Sequence, residues 1–393
     1  MSMFGLSKPK AQVEYVMPSD YAPVRRHSTA PYPVLDGRSP LKARLNEGVE
    51  LIQELVGRPI GKYEMMIFVE AYRLLIQNKF LSYCSNLVGE YHANDCRLRQ
   101  VLLRGALRAS YSSRSGLLHF ATTGDSGSGK NDLINNITAL LPDQHKILYA
   151  SITPKALYYA MRVPEANGKS YLMNPDTFRN KIICVTEIRD SKQYDALKAF
   201  AELDEASSFT HMTTSGQKNL DLTVRGPRAF WITSVLPVGD GQVRRRFIHN
   251  EIEASTADGH RSKMATVTAG LLGQQTIFDD YRMRVAKAGY TLLFSTPARY
   301  KGDYIERPAE RVALMIADLN ESIGAFDNAI EPTQLKQLFA LIECCAVEKQ
   351  FARGYCRIEE EDVREGWWLS GFDCDKKLLL NGEWCTPKEP VGC

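Results

Sequence analysis

The sequence predicts an α/β fold in which a parallel sheet is flanked by helices. Two observations favour this fold. A glycine-rich loop lies between an apolar run and a helical stretch, and short apolar runs alternate with helical stretches from Leu117 to about Glu253. The expected organisation is an extended or disordered arm at 1–40, a helical region at 41–116, a nucleotide-fold core at 117–254, and a helical lid with a tail at 255–393.

The composition is that of a globular protein without a strong electrostatic bias. Of the 393 residues, 44% are hydrophobic, and 49 Lys and Arg against 46 Asp and Glu leave a net charge of +3. The overall charge therefore requires neither a nucleic-acid nor a membrane partner. No apolar run approaches the roughly 20 residues of a membrane-spanning helix, and the amino-terminal residues lack the apolar core of a signal peptide. We expect a cytoplasmic protein.

The spacing of the cysteines matches no recognisable pattern of disulfides or zinc ligands. There are 9 of them, and no two make a C-x-x-C pair. This pattern favours free thiols over disulfides or a zinc site.

Helical and strand patterns succeed one another along the chain. Residues 1–39 are rich in proline and show neither the helical nor the strand periodicity of apolar residues. From Leu41 to about Arg108, apolar residues recur at the three- and four-residue spacing of a helix. The last helical segment, Cys96 to Arg108, carries four arginines, which indicates either a solvated basic face or a nucleic-acid contact. The expected core strands are 118–122, 147–150, 182–186, 229–235 and, more weakly, 247–252, and further helices are expected at 309–319 and 334–353.

The glycine-rich loop follows the first apolar run and precedes a helical stretch. Glycines let successive backbone N–H groups turn towards phosphate oxygens, the helix start adds its positive dipole end, and Lys130 can reach the β and γ phosphates. The segment matches G-x-x-x-x-G-K-[ST], the P-loop or Walker A pattern, except that Asn131 replaces the hydroxyl that binds magnesium. An ordinary glycine turn is the alternative. The expected nucleotide-binding residues are Gly124, Asp125, Ser126, Gly127, Ser128, Gly129, Lys130 and Asn131.

A second part of such a site is a buried strand that ends in Asp-Glu. The Asp holds the magnesium shell, and the Glu orients or deprotonates the attacking water. Here the apolar run 182–185 ends in Thr186 and Glu187, so Glu187 is the candidate catalytic residue, unless it only caps the following segment. Asn131 and Thr186 stand where magnesium ligands are expected, and their oxygens can hold the ion directly or through water.

The region from about Leu117 to Leu369 resembles the AAA+ ATPases of the minichromosome-maintenance (MCM) helicase clade. The likeness is greatest to the MCM-like replication proteins of plasmids, viruses and integrated elements. The phosphate loop and the Glu187 strand carry this resemblance, together with residues 151–159 (SITPKALYY), which are similar to a strand and helix segment of the mobile-element proteins. The resemblance implies ATP and Mg²⁺ as cofactors, a carboxyl-terminal helical lid, and a homo-oligomeric ring such as a hexamer.

A predicted β-hairpin matches a DNA-binding element of that clade. Polar and apolar residues alternate at 208–214 and 220–224 around a polar turn. This position matches the pre-sensor-1 hairpin, which projects into the channel of MCM-type rings. The resemblance implies that Lys218 binds DNA, whereas a lone Lys on a polar turn is more often only solvated.

Two further site positions follow the strand at 229–235. By resemblance, Thr233-Ser234 lies at the sensor-1 position beside the attacking water, where the clade often has Asn, and Ser234 is the candidate catalytic residue of the two. The run Arg244-Arg245-Arg246-Phe247 resembles the motif whose arginine reaches the γ-phosphate of a neighbouring subunit. Arg246 fits this role best because it directly precedes Phe247, although the register among the three arginines stays open. A basic surface run is the alternative.

The expected lid departs from the pattern of the clade at one position. Residues 332–343 and 358–363 look like lid segments, but Thr333 stands where an arginine usually precedes Gln-Leu. A sensor-2 contact is therefore absent or comes from elsewhere, such as Arg307 or Arg311.

These observations predict a ring-forming, DNA-dependent ATPase or helicase in the DNA replication of a mobile element or virus. The alternative is a nucleotide-dependent assembly switch or replication initiator with little or no hydrolysis. Retention of Glu187 together with Lys130 favours a slow ATPase. The departures from the pattern that argue against full activity are Asn131, Thr186, Ser234 and Thr333.

Overall fold

The computed structural model describes most of the chain from residue 41 onwards. The predicted arm at 1–40 and the predicted helix at 309–319 lie outside the described residues. The described ranges, which also include Met264, are 41–92, 95–113, 115–153, 155–165, 171–188, 191–212, 219–235, 241–252, 277–296, 332–371, 378–380 and 383–385.

The described helices surround a central sheet. The helices are α1 (Leu41–Val56), α2 (Lys62–Ile76), α3 (Phe80–Tyr91), α4 (Cys96–Gly105), α5 (Lys130–Ala139), α6 (Ala156–Ala160), α7 (Ser191–Phe200), α8 (Gly241–Arg244), α9 (Ile277–Ser295), α10 (Pro332–Arg353) and α11 (Glu360–Ser370). The strands are β1 (Phe120–Thr123), β2 (Lys146–Tyr149), β3 (Arg162–Pro164), β4 (Tyr171–Met173), β5 (Lys181–Ile188), β6 (Ala206–Met212), β7 (Asn219–Arg225), β8 (Arg228–Ser234), β9 (Ile248–Glu251), β10 (Leu378–Leu380) and β11 (Glu383–Cys385).

The sheet has 5 parallel strands in the order β2-β5-β8-β1-β9. Each strand contains or overlaps one of the predicted apolar runs, which confirms the predicted fold class. Parallel strands need crossover connections, and the helical stretches between the runs provide them. All carboxyl ends of the strands consequently lie at one edge of the sheet.

Two hydrophobic cores cover the two faces of the sheet. Ile182 and Cys184 of β5 pack into the core formed with α2–α5, α9 and α10. Ile183 and Val185 pack into the core formed with α6–α8. Side chains alternate along a strand, and both faces of the sheet are covered, so β5 reads as a continuous apolar run.

Of the four arginines in α4 and the turn that follows it, three are buried, and Arg97 is half-buried. Arg99, Arg104 and Arg108 have 7%, 2% and 0% of their surface exposed. Arg108 donates to the carbonyls of Tyr111 and Gly116, both at 2.6 Å. Neither a solvated basic face nor a nucleic-acid contact describes the three buried arginines, because each has an acceptor or a carboxylate partner inside the protein.

Buried ion pairs connect the carboxyl-terminal helices to the amino-terminal ones. Arg104 of α4 pairs with Glu348 of α10 at 2.7 Å. Lys349 of α10 pairs with Asp362 and Glu365 of α11 at 3.0 and 2.9 Å. Removing one member would leave a buried charge unpaired, which is strongly destabilising. The core is therefore continuous from α2 to α11, across residue 116.

Two antiparallel hairpins extend from the second core. β6 pairs with β7 from Ala206–Arg225 to Met212–Asn219, which agrees with the hairpin predicted at 208–224. β3 pairs with β4 in a shorter hairpin that the sequence did not suggest, since each strand has only three residues.

Among the cysteines whose side chains the structure describes, Cys96 differs from expectation. Cys96 is disulfide-bonded, so the prediction of free thiols is wrong for this residue, since spacing along the chain does not reveal which thiols meet in space. Cys84, Cys184, Cys344 and Cys345 are free and buried. Burial raises the pKa of the Cys344 thiol to about 12.

His119, just before β1, predicts a specific acid sensitivity. Burial, with Arg228 adding repulsion, lowers its pKa to about 3, so the folded protein holds it neutral. Its Nδ1 accepts from the backbone N–H of Phe230 at 3.1 Å. The unfolded chain has an ordinary histidine pKa, so stability is present in full above about pH 6.5 and is lost as the pH falls towards 3.

We expect His119→Asn to remove this dependence while retaining an acceptor for Phe230. The difference in free energy of unfolding between wild type and variant should shrink by up to about 1.4 kcal/mol per pH unit below pH 6.5. Urea titrations from pH 7 to pH 4.5 measure it. Parallel pH profiles for the two proteins would contradict the assignment.

Candidate functional site

The glycine-rich loop joins the carboxyl end of β1 to the amino end of α5. β1 ends at Thr123 and α5 begins at Lys130. Gly127 and Gly129 have φ angles of 82° and 92°, which residues with a Cβ rarely adopt. The glycines are therefore required where the chain turns into the helix, and the turn presents the first N–H groups of α5 to an anion.

Lys130 lies at this turn with 8% of its surface exposed. Its ammonium group donates to the carbonyl of Asp125 at 2.9 Å, and the N–H of Ser128 donates to the same carbonyl at 3.2 Å. The side chain thus reaches back across the loop. A phosphate bound in the loop would meet both this charge and the loop N–H groups, as a phosphate site requires.

Glu187 lies in an irregular part of β5 at the same edge of the sheet. Val185 pairs with Ile232, whereas Ile188 pairs with Ser234, so β5 has one residue more than β8 in this interval. A bulge of this kind redirects side chains and is common beside active sites. Glu187 is exposed there, so its carboxylate is accessible to a bound molecule.

Thr186 is partly engaged with the end of β2. Its hydroxyl oxygen lies 3.4 Å from the carbonyl oxygens of both Tyr149 and Ala150. The hydroxyl hydrogen is therefore directed to β2, while the lone pairs of the oxygen remain acceptors. Thr186 could still offer an oxygen to a cation or to its water shell.

The last two residues of β8 face opposite sides of the sheet, because side chains alternate along a strand. Thr233 lies on the side of α5, where its hydroxyl oxygen is 2.7 Å from Oδ1 of Asn131 and also contacts the backbone carbonyl of Thr186. Ser234 lies on the other side and donates to the carbonyl of Ile188 at 3.2 Å. The sensor-1 role of Ser234 stays a prediction.

Of the two residues at the predicted sensor-1 position, Thr233 is the one that contacts the phosphate-loop helix. It joins the phosphate-loop helix to the strand that carries Glu187. The alternation of β8 contained the signal: Ala229 and Trp231 pack on the side of α5, so Thr233 must lie there as well.

The arginine triplet, residues 244–246, lies at the opposite edge of the sheet from the phosphate loop. It precedes β9, whose first residue, Ile248, pairs with Phe120 at the start of β1. The length of β1, about 13 Å for four residues, therefore separates the triplet from the loop of the same chain.

The three arginines have different surroundings. Arg246 forms an ion pair with Glu202 and donates to the carbonyl of Gln242 at 2.8 Å. Arg244 and Arg245 are exposed. Both line a cavity of about 500 Å³ between α8, β9 and the ends of α10 and α11. The finger role of Arg246 stays a prediction, and it would compete with the Glu202 pair.

Three other predicted residues cannot be placed. Lys218 and the sensor-2 candidates Arg307 and Arg311 lie outside the described residues. Thr333, in the first turn of α10, is partly buried.

The family comparison agrees with the geometry of the loop. A family model described as MTBMA_p00010 P-loop domain matches residues 68–293, more than half of the 393-residue chain. The chain belongs to this P-loop family. The matched region begins within α2 and ends within α9, so it includes α3 and α4, which precede β1, but not α1. No curated protein sequence gave a significant match.

Membership of the P-loop family implies nucleotide binding, typically with a divalent metal ion, and residues 124–131 stay the predicted site. The amide of Asn131 and the hydroxyl of Thr186 are oxygen donors, which fit a hard cation such as Mg²⁺ that takes its remaining ligands from phosphates and water. The described His, Cys, Asp and Glu side chains form no separate metal cluster. Among the described helices, none is long and apolar enough to cross a membrane.

Lys130 should dominate the affinity for nucleotide. We expect Lys130→Ala to weaken binding of a fluorescent ATP analogue by at least about tenfold, because a charge-assisted contact to phosphate is lost. Titration by fluorescence anisotropy measures it. Lys155→Ala, which removes an exposed lysine outside the loop, is the control, and equal losses in the two variants would contradict the role of Lys130.

Proposed function

We propose that the chain is a DNA-dependent ATPase that works as a homo-oligomeric ring. One observation carries the ATPase part. β8 alone separates β1, which leads into the phosphate loop, from β5, which leads into Glu187. Neighbouring strands lie about 4.8 Å apart, so the two strand ends are about 9.6 Å apart. That gap accommodates a terminal phosphate and an attacking water between Lys130 and Glu187.

Each group then has a defined role. Lys130 and the loop N–H groups hold the β and γ phosphates of ATP, and Glu187 orients the attacking water and accepts its proton. Asn131 and Thr186 offer oxygens to the ion. When bound, Mg²⁺ neutralises charge that develops on the phosphates.

The position of the arginines supports an oligomer. A guanidinium from residues 244–246 lies a full strand length from its own phosphate loop, so it can assist hydrolysis only in a neighbouring subunit. Arg244 and Arg245 are exposed beside a cavity formed with α10 and α11, which suits a surface that receives a neighbour. A hexamer remains the proposal from the MCM resemblance.

The two hairpins are the proposed DNA contacts. They adjoin at their bases, since the backbone N–H of Arg225, at the end of β7, donates to the carbonyl of Pro175, just after β4, at 2.9 Å. Lys218 directly precedes β7 in the sequence, and an exposed stack joins the β3–β4 hairpin to Tyr159 of α6. There the guanidinium of Arg162 lies 4.5 Å from the ring centre of Tyr159 and 5.8 Å from that of Tyr171.

This stack has the chemistry of a single-strand binding surface. Tyr159 and Tyr171 have 52% and 61% of their surface exposed. Unpaired bases stack on tyrosine rings and on arginine planes without regard to sequence, and the positive charge attracts the phosphates. The biological setting that we propose, replication of a mobile element or virus in the cytoplasm, follows from the MCM resemblance.

A nucleotide-dependent switch with little hydrolysis is the second candidate. The observation that favours it is the engagement of Thr186 with the end of β2, together with an amide at residue 131 in place of a hydroxyl. Both would weaken the hold on magnesium and slow turnover without preventing nucleotide binding.

Hydrolysis with and without DNA tests the proposal. We expect ATP turnover that rises when single-stranded DNA is added, and we expect Glu187→Gln to reduce it by at least about a hundredfold while ATP stays bound. Steady-state phosphate release measures it. Turnover per subunit should increase with protein concentration if a neighbour supplies the arginine.

Turnover that is unaffected by Glu187→Gln would contradict the catalytic role of this residue. ATP binding without turnover under all conditions would favour the switch instead. Glu165→Gln, which alters a carboxylate after β3, is the control for a general effect of charge.

The tyrosine stack should contribute directly to DNA affinity. We expect Tyr159→Ala and Tyr171→Ala each to weaken binding of a thymidine oligonucleotide by at least about fivefold, because stacking of one base contributes about 1–3 kcal/mol. Fluorescence anisotropy measures it. The matched control is Tyr63→Ala, at a tyrosine of α2 with 57% of its surface exposed. If the two stack variants lose no more DNA affinity than this control, the proposed role of the stack is contradicted.

A further inference from the structure

The hydroxyl of Thr233 lies between two oxygen atoms of neighbouring residues. On one side is the backbone carbonyl oxygen of Thr186. On the other, at 2.7 Å, is the side-chain oxygen of Asn131. Both are close enough for a hydrogen bond, so both contacts require a hydrogen between the two atoms.

A threonine hydroxyl has one hydrogen and cannot donate to both groups. The backbone carbonyl of Thr186 can only accept, so it takes that hydrogen. Asn131 can satisfy its own contact, because a half-turn of its amide exchanges the oxygen for the NH₂ group, and the two are distinguished by their hydrogen-bond partners. The arrangement that satisfies both contacts has Asn131 donating to Thr233, and Thr233 donating to Thr186.

This half-turn decides whether the Asn131 amide presents its oxygen or its NH₂ group to a cation bound with the nucleotide. With its nitrogen on Thr233, the amide directs its oxygen away from β8, and among the described residues this outer end of the amide has no hydrogen-bond partner. The side chain is exposed. An outward oxygen can bind a hard cation, whereas an outward NH₂ group would repel one.

Thr233 is well suited to hold the amide in this orientation. It has 1% of its surface exposed, and its β-branched side chain has few rotamers. It lies on β8, which pairs with β1 on one side and β5 on the other. The hydroxyl is therefore fixed relative to both halves of the site.

We infer that Thr233 is a positioning residue that orients the amide of Asn131, so that its oxygen replaces the missing hydroxyl ligand of the nucleotide-bound Mg²⁺. This inference rests on the proposed nucleotide site. Thr233 acts through its two hydrogen bonds, which select one of the two orientations of the Asn131 amide.

The test is the ratio of nucleotide affinities with Mg²⁺ and with EDTA, measured by anisotropy of a fluorescent, non-hydrolysable ATP analogue. Thr233→Val keeps the shape of the side chain but removes the hydroxyl, and we expect it to lower the ratio by about tenfold or more, as loss of a ligand-orienting contact does. The affinity in EDTA should stay unchanged. Thr233→Ser retains the hydroxyl and should restore the ratio.

A double-mutant comparison separates orientation of the amide from general damage. In an Asn131→Ser background, the ligand is a hydroxyl that needs no orientation by Thr233, so adding Thr233→Val should change the ratio little. Melting temperatures establish that each variant is folded.

The inference is overturned if Thr233→Val leaves the ratio unchanged, or if it lowers affinity equally with and without Mg²⁺. A wild-type protein that bound no nucleotide would overturn the proposed function and this inference together. The two failures are distinct, because the first still shows nucleotide binding by the wild type.

Discussion

The geometry of the site depends on the placement of β8 between β1 and β5. β8 pairs in parallel with both neighbours and is buried along its whole length. It therefore fixes the distance between the phosphate loop and Glu187, and its pleat decides which side chain faces the loop helix. Thr233 and Ser234 are adjacent in sequence, but only Thr233 lies within reach of Asn131.

The elements that the sequence predicts well are those with a strong local signal. The buried parallel strands are continuous apolar runs, and the glycine loop requires φ angles that glycine adopts easily. Contacts between distant segments leave no such signal. Arg104 looks like part of a solvated face until α10 brings Glu348 to it, and the pairing of Arg246 with Glu202 depends on α7 ending beside α8. Thr233 differs from these residues, because strand alternation alone places it on the side of the loop helix.

The structure also connects the parts of the proposed motor. The nucleotide site occupies the carboxyl edge of the sheet, the arginines occupy the other edge, and the hairpins extend from the core on the side of α7. A ring would use each of these surfaces for a different partner: nucleotide, neighbouring subunit and DNA. The buried ion pairs that join α4, α10 and α11 attach the carboxyl-terminal helices to the helices that precede β1.

The most direct test of the central claim is an experimental structure with Mg²⁺, ADP and a phosphate analogue such as beryllium fluoride. We expect the analogue to lie over the end of β8, in contact with Lys130. A water should lie between the analogue and Glu187. The side-chain oxygen of Asn131 should be directed to the ion or its waters. A phosphate analogue bound away from Glu187, or an Asn131 amide that presents its nitrogen to the ion, would contradict the central claim.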